Sequence, residues 1–302
     1  MSDRLLKFTF HGAPVRGELV RVADAWREMT AHHAYPAPVK RLLGEMVAAA
    51  ALLASNIKFN GALVMQVHGD GPVKLLVVEC QPDLALRATA KLGAGPIADD
   101  ASMRSLINRD GRGRFAITLD PRDPMPGQQP YQGIVPLDGD TMAEVLETYM
   151  RQSEQLETRL VLAADEDVSA GLLLQRLPDS GGAARVIDED AWDRVTTLGA
   201  TLRRDELLQH APEILARRLY SQEVLAHQAT LAPRFSCRCS RERIGRMLVS
   251  LGREEVDSII EELTAVTVTC DFCGRQYSFD AVDVAQLFAS GETAEADDSR
   301  RH

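Results

Sequence analysis

Two closely spaced cysteine pairs near the carboxyl end constrain this chain more than any other feature. Cys237 and Cys239 form a C-x-C pair, and Cys270 and Cys273 form a C-x-x-C pair thirty residues further on. Zinc sites in proteins are commonly built from thiolates that are close together within each pair and further apart between pairs. None of the seven histidines lies between Cys237 and Cys273. The sequence therefore predicts one tetrahedral zinc site per chain with four thiolate ligands.

The C-x-C spacing leaves a second interpretation of the same site open. Cα atoms of residues i and i+2 are about 5.5–7 Å apart in an extended or turned chain, which overlaps the separation that a disulfide accepts. Each pair is therefore able to close into a disulfide once the metal leaves. The four cysteines are consistent with a purely structural zinc site, which is the more common kind, or with a thiol switch controlled by zinc.

Length, charge and cysteine usage narrow the class of protein. The 302 residues are enough for about two domains with a sizeable core. The net charge of −10 argues against nucleic acid or an anionic membrane as the main partner. Five cysteines, four of them in a metal pattern, fit a reducing compartment, and the charged first residues are not followed by a hydrophobic signal segment. We expect a cytoplasmic protein without a membrane partner.

The first 178 residues are predicted to form one α+β domain with a large antiparallel or mixed sheet. Apolar residues at helical spacing predict a core helix over about 39–55 and another over about 141–155. Cys80 lies at the end of an apolar strand and is interpreted as a buried core residue without a redox partner. The predicted strands are 5–10, 15–22, 61–68, 73–80, 84–92, 114–119, 131–137, 159–163 and 170–177.

The rest of the chain is predicted to divide into a helical linker, a small zinc-binding domain and a disordered acidic tail, at residues 179–233, 234–289 and 290–302. Helical spacing in the linker continues to about residue 229. The linker is too short and too polar to form a core alone, so it must pack on a neighbouring surface. The apolar residues predicted to make that contact are Leu198, Leu202, Leu207, Leu208, Ile214, Leu215 and Leu219.

Within the zinc-binding domain, local signals predict two capped helices and a hairpin. Ser240 is a predicted N-cap, and Asp280 is predicted to cap a last helix that ends near Phe288. Alternating apolar residues on either side of Cys270 and Cys273 predict a small hairpin that carries the second pair, with Val266 and Val268 before it and Tyr277 and Phe279 after it.

Two other functions remain as alternatives. A thiol oxidoreductase places the first cysteine of its C-x-x-C pair at a helix N-terminus, whereas residues 274–279 are predicted to continue as a strand. A nucleic-acid-binding zinc ribbon would use the arginines near the first pair, but residues 234–289 hold seven arginines and no lysine against nine acids. The sequence contains no G-x-S-x-G, H-E-x-x-H or phosphate-loop motif. We therefore expect a protein that is not an enzyme.

The sequence resembles the redox-regulated chaperones of the heat shock protein 33 family over nearly its whole length. The most specific part is Cys-Arg-Cys-Ser-Arg-Glu-Arg at 237–243 together with Cys-Asp-Phe-Cys at 270–273. One local departure is Glu-Glu-Leu-Thr at 261–264, which lacks the acidic-glycine step expected there. The other matching blocks are Val-Arg-Gly-Glu-Leu-Val at 15–20, Gly-Asp-Gly-Pro at 69–72, Tyr-Gln-Gly at 131–133 with Leu137 and Gly-Asp-Thr at 139–141, Ser-Glu-Gln-Leu at 153–156 and Ala-Gly-Leu-Leu-Leu-Gln at 170–175.

The resemblance implies an ATP-independent holdase that binds unfolding or oxidatively damaged proteins and prevents their aggregation. It implies that the reduced chain is inactive and holds one zinc ion through Cys237, Cys239, Cys270 and Cys273. It further implies that oxidants together with partial unfolding activate the chain, with disulfides 237–239 and 270–273 and release of the zinc. A homodimer is implied on activation.

Overall fold

The structure is a computed structural model and describes residues 2–123, 130–178, 188 and 190–298. Its helices are α1 Asp24–Thr30, α2 Ala37–Ala54, α3 Met103–Ile107, α4 Met142–Gln152, α5 Ala191–Ala200, α6 Arg204–Gln209, α7 Pro212–Leu219, α8 Arg241–Leu251, α9 Arg253–Leu263 and α10 Ala281–Asp298. Its strands are β1 Arg4–Phe10, β2 Val15–Val22, β3 Gly61–His68, β4 Val73–Cys80, β5 Ala85–Leu92, β6 Arg114–Pro121, β7 Tyr131–Val135, β8 Thr158–Ala164, β9 Ser169–Arg176, β10 Leu225–Leu231, β11 Arg234–Phe235, β12 Ala265–Thr269 and β13 Gln276–Asp280.

The chain divides into an amino-terminal unit that ends at Ser236 and a carboxyl-terminal unit that begins at Cys237. The amino-terminal unit contains two sheets, whereas the sequence predicted one large sheet. The five-stranded sheet is antiparallel and has the order β10-β1-β2-β9-β8. The six-stranded sheet has the order β11-β5-β4-β3-β6-β7, and its β11 runs parallel to β5. Apolar alternation locates a strand without identifying its partner, so the predicted strands were placed in too few sheets. The α+β class is confirmed.

Helix α2 is the centre of the amino-terminal core, as the sequence predicted. Almost all of its residues are buried, and the run Ala48–Ala51 has no large side chains to hold neighbouring elements away. The helix packs against Val20 and Leu173 of the five-stranded sheet and against Met65 and Leu76 of the six-stranded sheet, among others. Every residue of its second half, 46–54, is buried. A helical segment buried on all sides needs a neighbour on every face, and the two sheets provide it.

The linker helices α5, α6 and α7 cover the other face of the five-stranded sheet. The contact is apolar: it buries Val195, Leu202, Leu207, Leu215 and Tyr220 against Phe8, Phe10, Leu19, Leu172 and Leu174 of the sheet. This confirms that the linker packs on a neighbour. Of the other residues predicted to make the contact, Leu198, Leu208 and Leu219 are partly buried, and Ile214 is 47% exposed. Residues 179–187, where the linker was predicted to begin, lie outside the described residues.

The prediction of helix up to residue 229 is wrong, because Leu225–Leu231 forms strand β10. This strand pairs antiparallel with β1, from Phe10 opposite Leu225 to Leu5 opposite Leu231. Without β10, the backbone N–H and C=O groups along the outer side of β1 would have no partner in the sheet. That long-range requirement outweighs a weak helical pattern, since strand formation depends on partners far away in the sequence.

The carboxyl-terminal unit has its own small core around the β12–β13 hairpin. Ser240 caps α8 by accepting a hydrogen bond from the Arg243 N–H at 3.2 Å, and Asp280 accepts one from the Asp283 N–H at 2.8 Å. Both predicted caps and the predicted hairpin are confirmed. The core residues are Leu248, Val256, Val266, Tyr277, Phe279, Val284 and Phe288.

Helix α10 continues to Asp298, ten residues beyond the predicted end near Phe288, so the predicted start of the tail at 290 falls inside a helix. The segment 292–298 consists mainly of alanine and acidic residues. Alanine and glutamate favour helix, so a segment that is polar overall is still able to form one. Residues 299–302 lie outside the described residues.

Residues 261–264 lack the acidic-glycine step expected there, and the turn after α9 shows how the chain closes the helix without a glycine. Thr264 has φ of +63°, in the left-handed region, and its N–H donates to the Ile260 carbonyl at 2.8 Å. A left-handed residue commonly closes a helix in this way, and glycine is the usual choice. The β-branched threonine therefore takes a strained conformation at the entrance to the hairpin.

Candidate metal centre

The four predicted ligands lie at the ends of regular elements of the carboxyl-terminal unit. Cys239 directly precedes Ser240, the N-cap of α8, and Cys237 comes two residues earlier. Cys270 follows the last residue of β12, and Cys273 lies in the turn before β13. Pairing of β12 with β13 fixes the second pair, because the two strands are hydrogen-bonded up to Thr269 and Gln276 on either side of it.

The structure brings the four sulfur atoms into one cluster. All of them lie within 4.8 Å of one another. The Cys237 Sγ is 3.6 Å from the Cys270 Sγ, and the Cys239 Sγ is 3.4 Å from the Cys273 Sγ. Each of these distances joins one residue of the first pair to one of the second, so the cluster connects segments about thirty residues apart. All four cysteines are free thiols.

The turn that holds the second pair depends on one glycine. The Gly274 N–H donates to the Cys270 carbonyl, and the Cys270 N–H donates to the Arg275 carbonyl, both at 2.9 Å. Gly274 has φ of +67°, which a residue with a side chain rarely adopts. The tight turn directs both sulfurs of this pair to the same side of the hairpin.

The donor set and its spacing fit a tetrahedral zinc ion. With Zn–S bonds of about 2.3 Å, the sulfurs of a tetrahedral site are roughly 3.8 Å apart, close to the separations observed here. Four thiolates are soft ligands of the kind that zinc accepts in closed sites. Cys270 is buried, and the other three are partly buried, which limits the access of water to the cluster.

Burial and hydrogen bonds affect the thiols of the cluster differently. Burial raises the pKa of Cys237 and of Cys273 above the usual value. Burial also acts to raise the pKa of Cys239, but hydrogen bonds, the first of them from Tyr277, outweigh it and lower that pKa to about 7. The Tyr277 hydroxyl lies 3.1 Å from the Cys239 Sγ. A donor hydrogen bond favours the charged form of its acceptor, so Cys239 is the thiolate that this environment supports best.

Comparison with known proteins decides the family. The family model described as Hsp33 protein matches residues 3–280 of this chain. The chain belongs to the Hsp33 family. Two curated relatives are named 33 kDa chaperonin. The relative from Methylobacillus flagellatus is 46% identical over 96% of this chain and 96% of its own length. The relative from Chromobacterium violaceum is 44% identical over 99% and 98%.

The Hsp33 fold is also found in a solved structure of a distant relative. The crystal structure of the 33 kDa chaperonin from Thermotoga maritima aligns with 97% of this chain and with 100% of its own chain. The TM-score is 0.79 at 19% sequence identity. Conservation of the fold at this identity shows that the predicted resemblance to the Hsp33 family extends to the architecture of the chain.

The positions of individual residues argue against the two alternative functions that the sequence left open for this Hsp33 chain, a thiol oxidoreductase and a nucleic-acid-binding zinc ribbon. Cys270 follows a strand, and the chain continues into β13, so it does not have the helix N-terminus typical of a thiol oxidoreductase. Arg241 donates to the Ser278 carbonyl at 2.7 Å, pairs with Asp283 and stacks on Phe279. An arginine engaged in this way is poorly placed to bind phosphate.

Sequence reasoning missed one residue of the site. Tyr277 was predicted as an apolar position of the hairpin, and its ring does lie in the small core. The contact of its hydroxyl with the Cys239 sulfur was not predicted. A tyrosine at an inward position of a strand normally needs a partner for its O–H, which is the signal that was available.

Cys80 is not one of the four clustered cysteines, and its predicted burial is confirmed. It is fully buried at the end of β4, in the core around α2, and burial raises the pKa of its thiol. Within the part of the chain that the structure describes, no helix is both long and apolar enough to cross a membrane.

If oxidation activates this chain, as the resemblance implies, Cys80→Ala should leave that activation unchanged, because a buried thiol with a raised pKa supplies almost no thiolate to an oxidant. The cost should be confined to stability, about 1–2 kcal/mol for one lost buried sulfur. Peroxide-dependent suppression of client aggregation, measured beside a thermal melt, checks this. A variant that folds normally but fails to activate would show a redox role in the amino-terminal unit.

Proposed function

We propose that this chain is a redox-regulated, ATP-independent holdase that binds unfolding proteins and prevents their aggregation. The observation that carries the proposal is the four-sulfur cluster, which joins the start of the carboxyl-terminal unit to its β12–β13 hairpin through residues able to form disulfides. The reduced form, with one zinc per chain, is the inactive state. The protein is cytoplasmic and is not an enzyme, and its partners are unfolded client proteins rather than nucleic acid or membrane.

Zinc bound by Cys237, Cys239, Cys270 and Cys273 would supply a cross-link between the start of α8 and the β12–β13 hairpin. The core of the unit is small, and a core of this size alone rarely contributes more than about 3–5 kcal/mol. A structural zinc site contributes an apparent ~10–16 kcal/mol to folding. The carboxyl-terminal unit should therefore depend on the cluster for its fold.

Oxidation within each pair would remove that cross-link. Disulfides 237–239 and 270–273 close rings of a few residues and connect nothing across the unit, whereas 237–270 and 239–273 would preserve the long-range connection. With hydrogen peroxide as oxidant, two thiols lose two electrons and two protons, the O–O bond breaks, and one disulfide and two water molecules form. We propose the within-pair disulfides that the resemblance to the Hsp33 family implies, and these would couple oxidation to loss of the fold.

The outer face of the five-stranded sheet is the proposed client-binding surface. In the structure, α5–α7 cover this face, β10 pairs with the edge of β1, and β11 ends two residues before Cys237. Loss of order in α5–α7 and β10 would expose Phe8, Phe10 and Leu172 together with unpaired backbone groups of β1. An apolar face beside an open strand edge suits an extended, unfolded polypeptide. The same edge would allow two activated chains to associate, consistent with a homodimer.

One set of measurements tests the proposed function. Zinc content, free-thiol count and suppression of client aggregation are measured before and after peroxide treatment under mild unfolding stress. We expect about one zinc ion per chain and little activity before treatment, and zinc release, loss of four thiols and activity afterwards. Peptide mapping then identifies the disulfides. Zinc retained under oxidation, with no holdase activity, would contradict the proposal and make nucleic-acid binding the next assay.

A further inference from the structure

Tyr277 makes a hydrogen bond to the metal-site sulfur of Cys239 through a side chain that is firmly held. Its O–H lies 3.1 Å from the Cys239 Sγ. The ring is only 9% exposed and packs in the small core. Its backbone pairs with Val268 across the hairpin, so the hydroxyl is positioned by both packing and strand register. Because the side chain is already ordered, holding its hydroxyl at the sulfur costs little further conformational entropy.

We propose that Tyr277 is a positioning residue that strengthens zinc binding at Cys239 and slows the reaction of this sulfur with peroxides. The inference rests on the zinc site of the proposed function. Partners that donate hydrogen bonds to metal ligands orient them and tune the metal, and their loss typically weakens metal affinity about 10–100-fold. Two backbone N–H groups also donate hydrogen bonds to the cluster, that of Cys239 to the Cys237 sulfur and that of Arg275 to the Cys273 sulfur.

The effect on peroxide follows from the chemistry of the sulfur. In the first step of oxidation, a lone pair of the thiolate attacks one oxygen of hydrogen peroxide. An S–O bond forms, the O–O bond breaks, hydroxide leaves, and sulfur has given two electrons to become a sulfenic acid. With zinc bound, the Cys239 sulfur is a thiolate whether or not Tyr277 donates to it. In that state, a lone pair that accepts the Tyr277 O–H is less available for this attack. The hydroxyl also occupies space beside the sulfur, through which the peroxide would approach.

Arg275 is a charged neighbour of the same hydroxyl and of the cluster. Its exposed guanidinium interacts electrostatically with the Tyr277 hydroxyl and with the Cys239 and Cys273 sulfurs. A cation near the phenol makes the O–H a stronger donor, and a cation near the sulfurs stabilises their thiolate form. Arg275 should therefore support the same sulfur as Tyr277, with a smaller effect of the same sign.

Tyr277→Phe is the test, because it removes the hydroxyl and keeps the ring in the core. Thr267→Val is the matched control, since it removes a hydroxyl from the neighbouring strand, 3.5 Å from the Ser278 hydroxyl and not bonded to a cluster sulfur. We expect Tyr277→Phe to weaken zinc affinity about 10-fold in a chelator competition. Zinc release by hydrogen peroxide should become several-fold faster, while the control stays within error of the parent chain in both measurements.

Cobalt as a probe separates this role from a purely structural one. Loss of a hydrogen bond raises the energy of the sulfur lone pairs, so the sulfur-to-cobalt charge-transfer band should move to longer wavelength in Tyr277→Phe. Arg275→Gln should move it less in the same direction. A folded Tyr277→Phe chain with parental zinc affinity, release rate and cobalt spectrum would overturn the proposal, and so would equal changes in Thr267→Val. These readouts need no client, so they are independent of whether oxidation activates a holdase.

Discussion

Replacing Cys239 with serine should weaken zinc binding by about 60–700-fold and leave the carboxyl-terminal unit open to proteolysis. If four ligands share an apparent ~10–16 kcal/mol, loss of one removes roughly 2.5–4 kcal/mol, and each 1.4 kcal/mol is a factor of ten. The small core of the unit is insufficient to keep it folded without the zinc cross-link. A chelator competition measures the affinity, and limited proteolysis followed by mass spectrometry locates the cleavage sites.

Ser250→Ala is a suitable control for that experiment. Ser250 is exposed on α8 and bonds only to the Met247 carbonyl one turn away, so its removal leaves the cluster intact. Without unfolding stress, cleavage of Cys239→Ser should concentrate after Ser236, with the amino-terminal unit largely resistant, because its core around α2 does not include the cluster. Unchanged zinc content and an unchanged digestion pattern would exclude Cys239 as a ligand on which the fold depends.

The parts of the site that the sequence predicted are those determined by local chemistry. Ser240 and Asp280 bond to N–H groups three residues later, and a capping pattern of that kind is contained in a few consecutive residues. The hairpin follows from alternation and the turn, and the grouping of Cys237 with Cys273 follows from the rules of metal coordination. None of these inferences required knowledge of a distant partner.

The parts that the sequence did not predict depend on distant partners. Strand β10 is recognisable only once β1 is known to need a partner, and the division into two sheets depends on β9 pairing with β2. The contact between Tyr277 and Cys239 joins residues 38 positions apart. In each case the local preference of the segment is weak, and packing determines the outcome.

A chain that ends at Arg176 should suppress client aggregation under reducing conditions without any oxidant. The truncation removes α5–α7, β10 and β11 and leaves the core around α2 in place. It exposes Phe8, Phe10, Leu172 and Leu174, each of which gains about 1.5–3 kcal/mol from being buried again. An apolar client segment can supply that burial. Light scattering of a denatured client, with the reduced full-length chain as the inactive reference, measures the effect.

The same truncation with Phe8→Gln tests whether the uncovered face is responsible. Phe8 is 2% exposed in the intact chain and packs only 5.6 Å, ring centre to ring centre, from Phe10. Once α5–α7 are gone it becomes a surface residue, so glutamine should be tolerated there and should weaken client binding.

If the Arg176 truncation is soluble and folded by circular dichroism but inactive, the client-binding surface must lie elsewhere. If it is active and Phe8→Gln makes no difference, the open side of β1 or the exposed β7 residues Tyr131 and Ile134 become the next surfaces to alter. If the Arg176 truncation is active and the same truncation with Phe8→Gln is not, holdase function depends on the face that the linker helices cover.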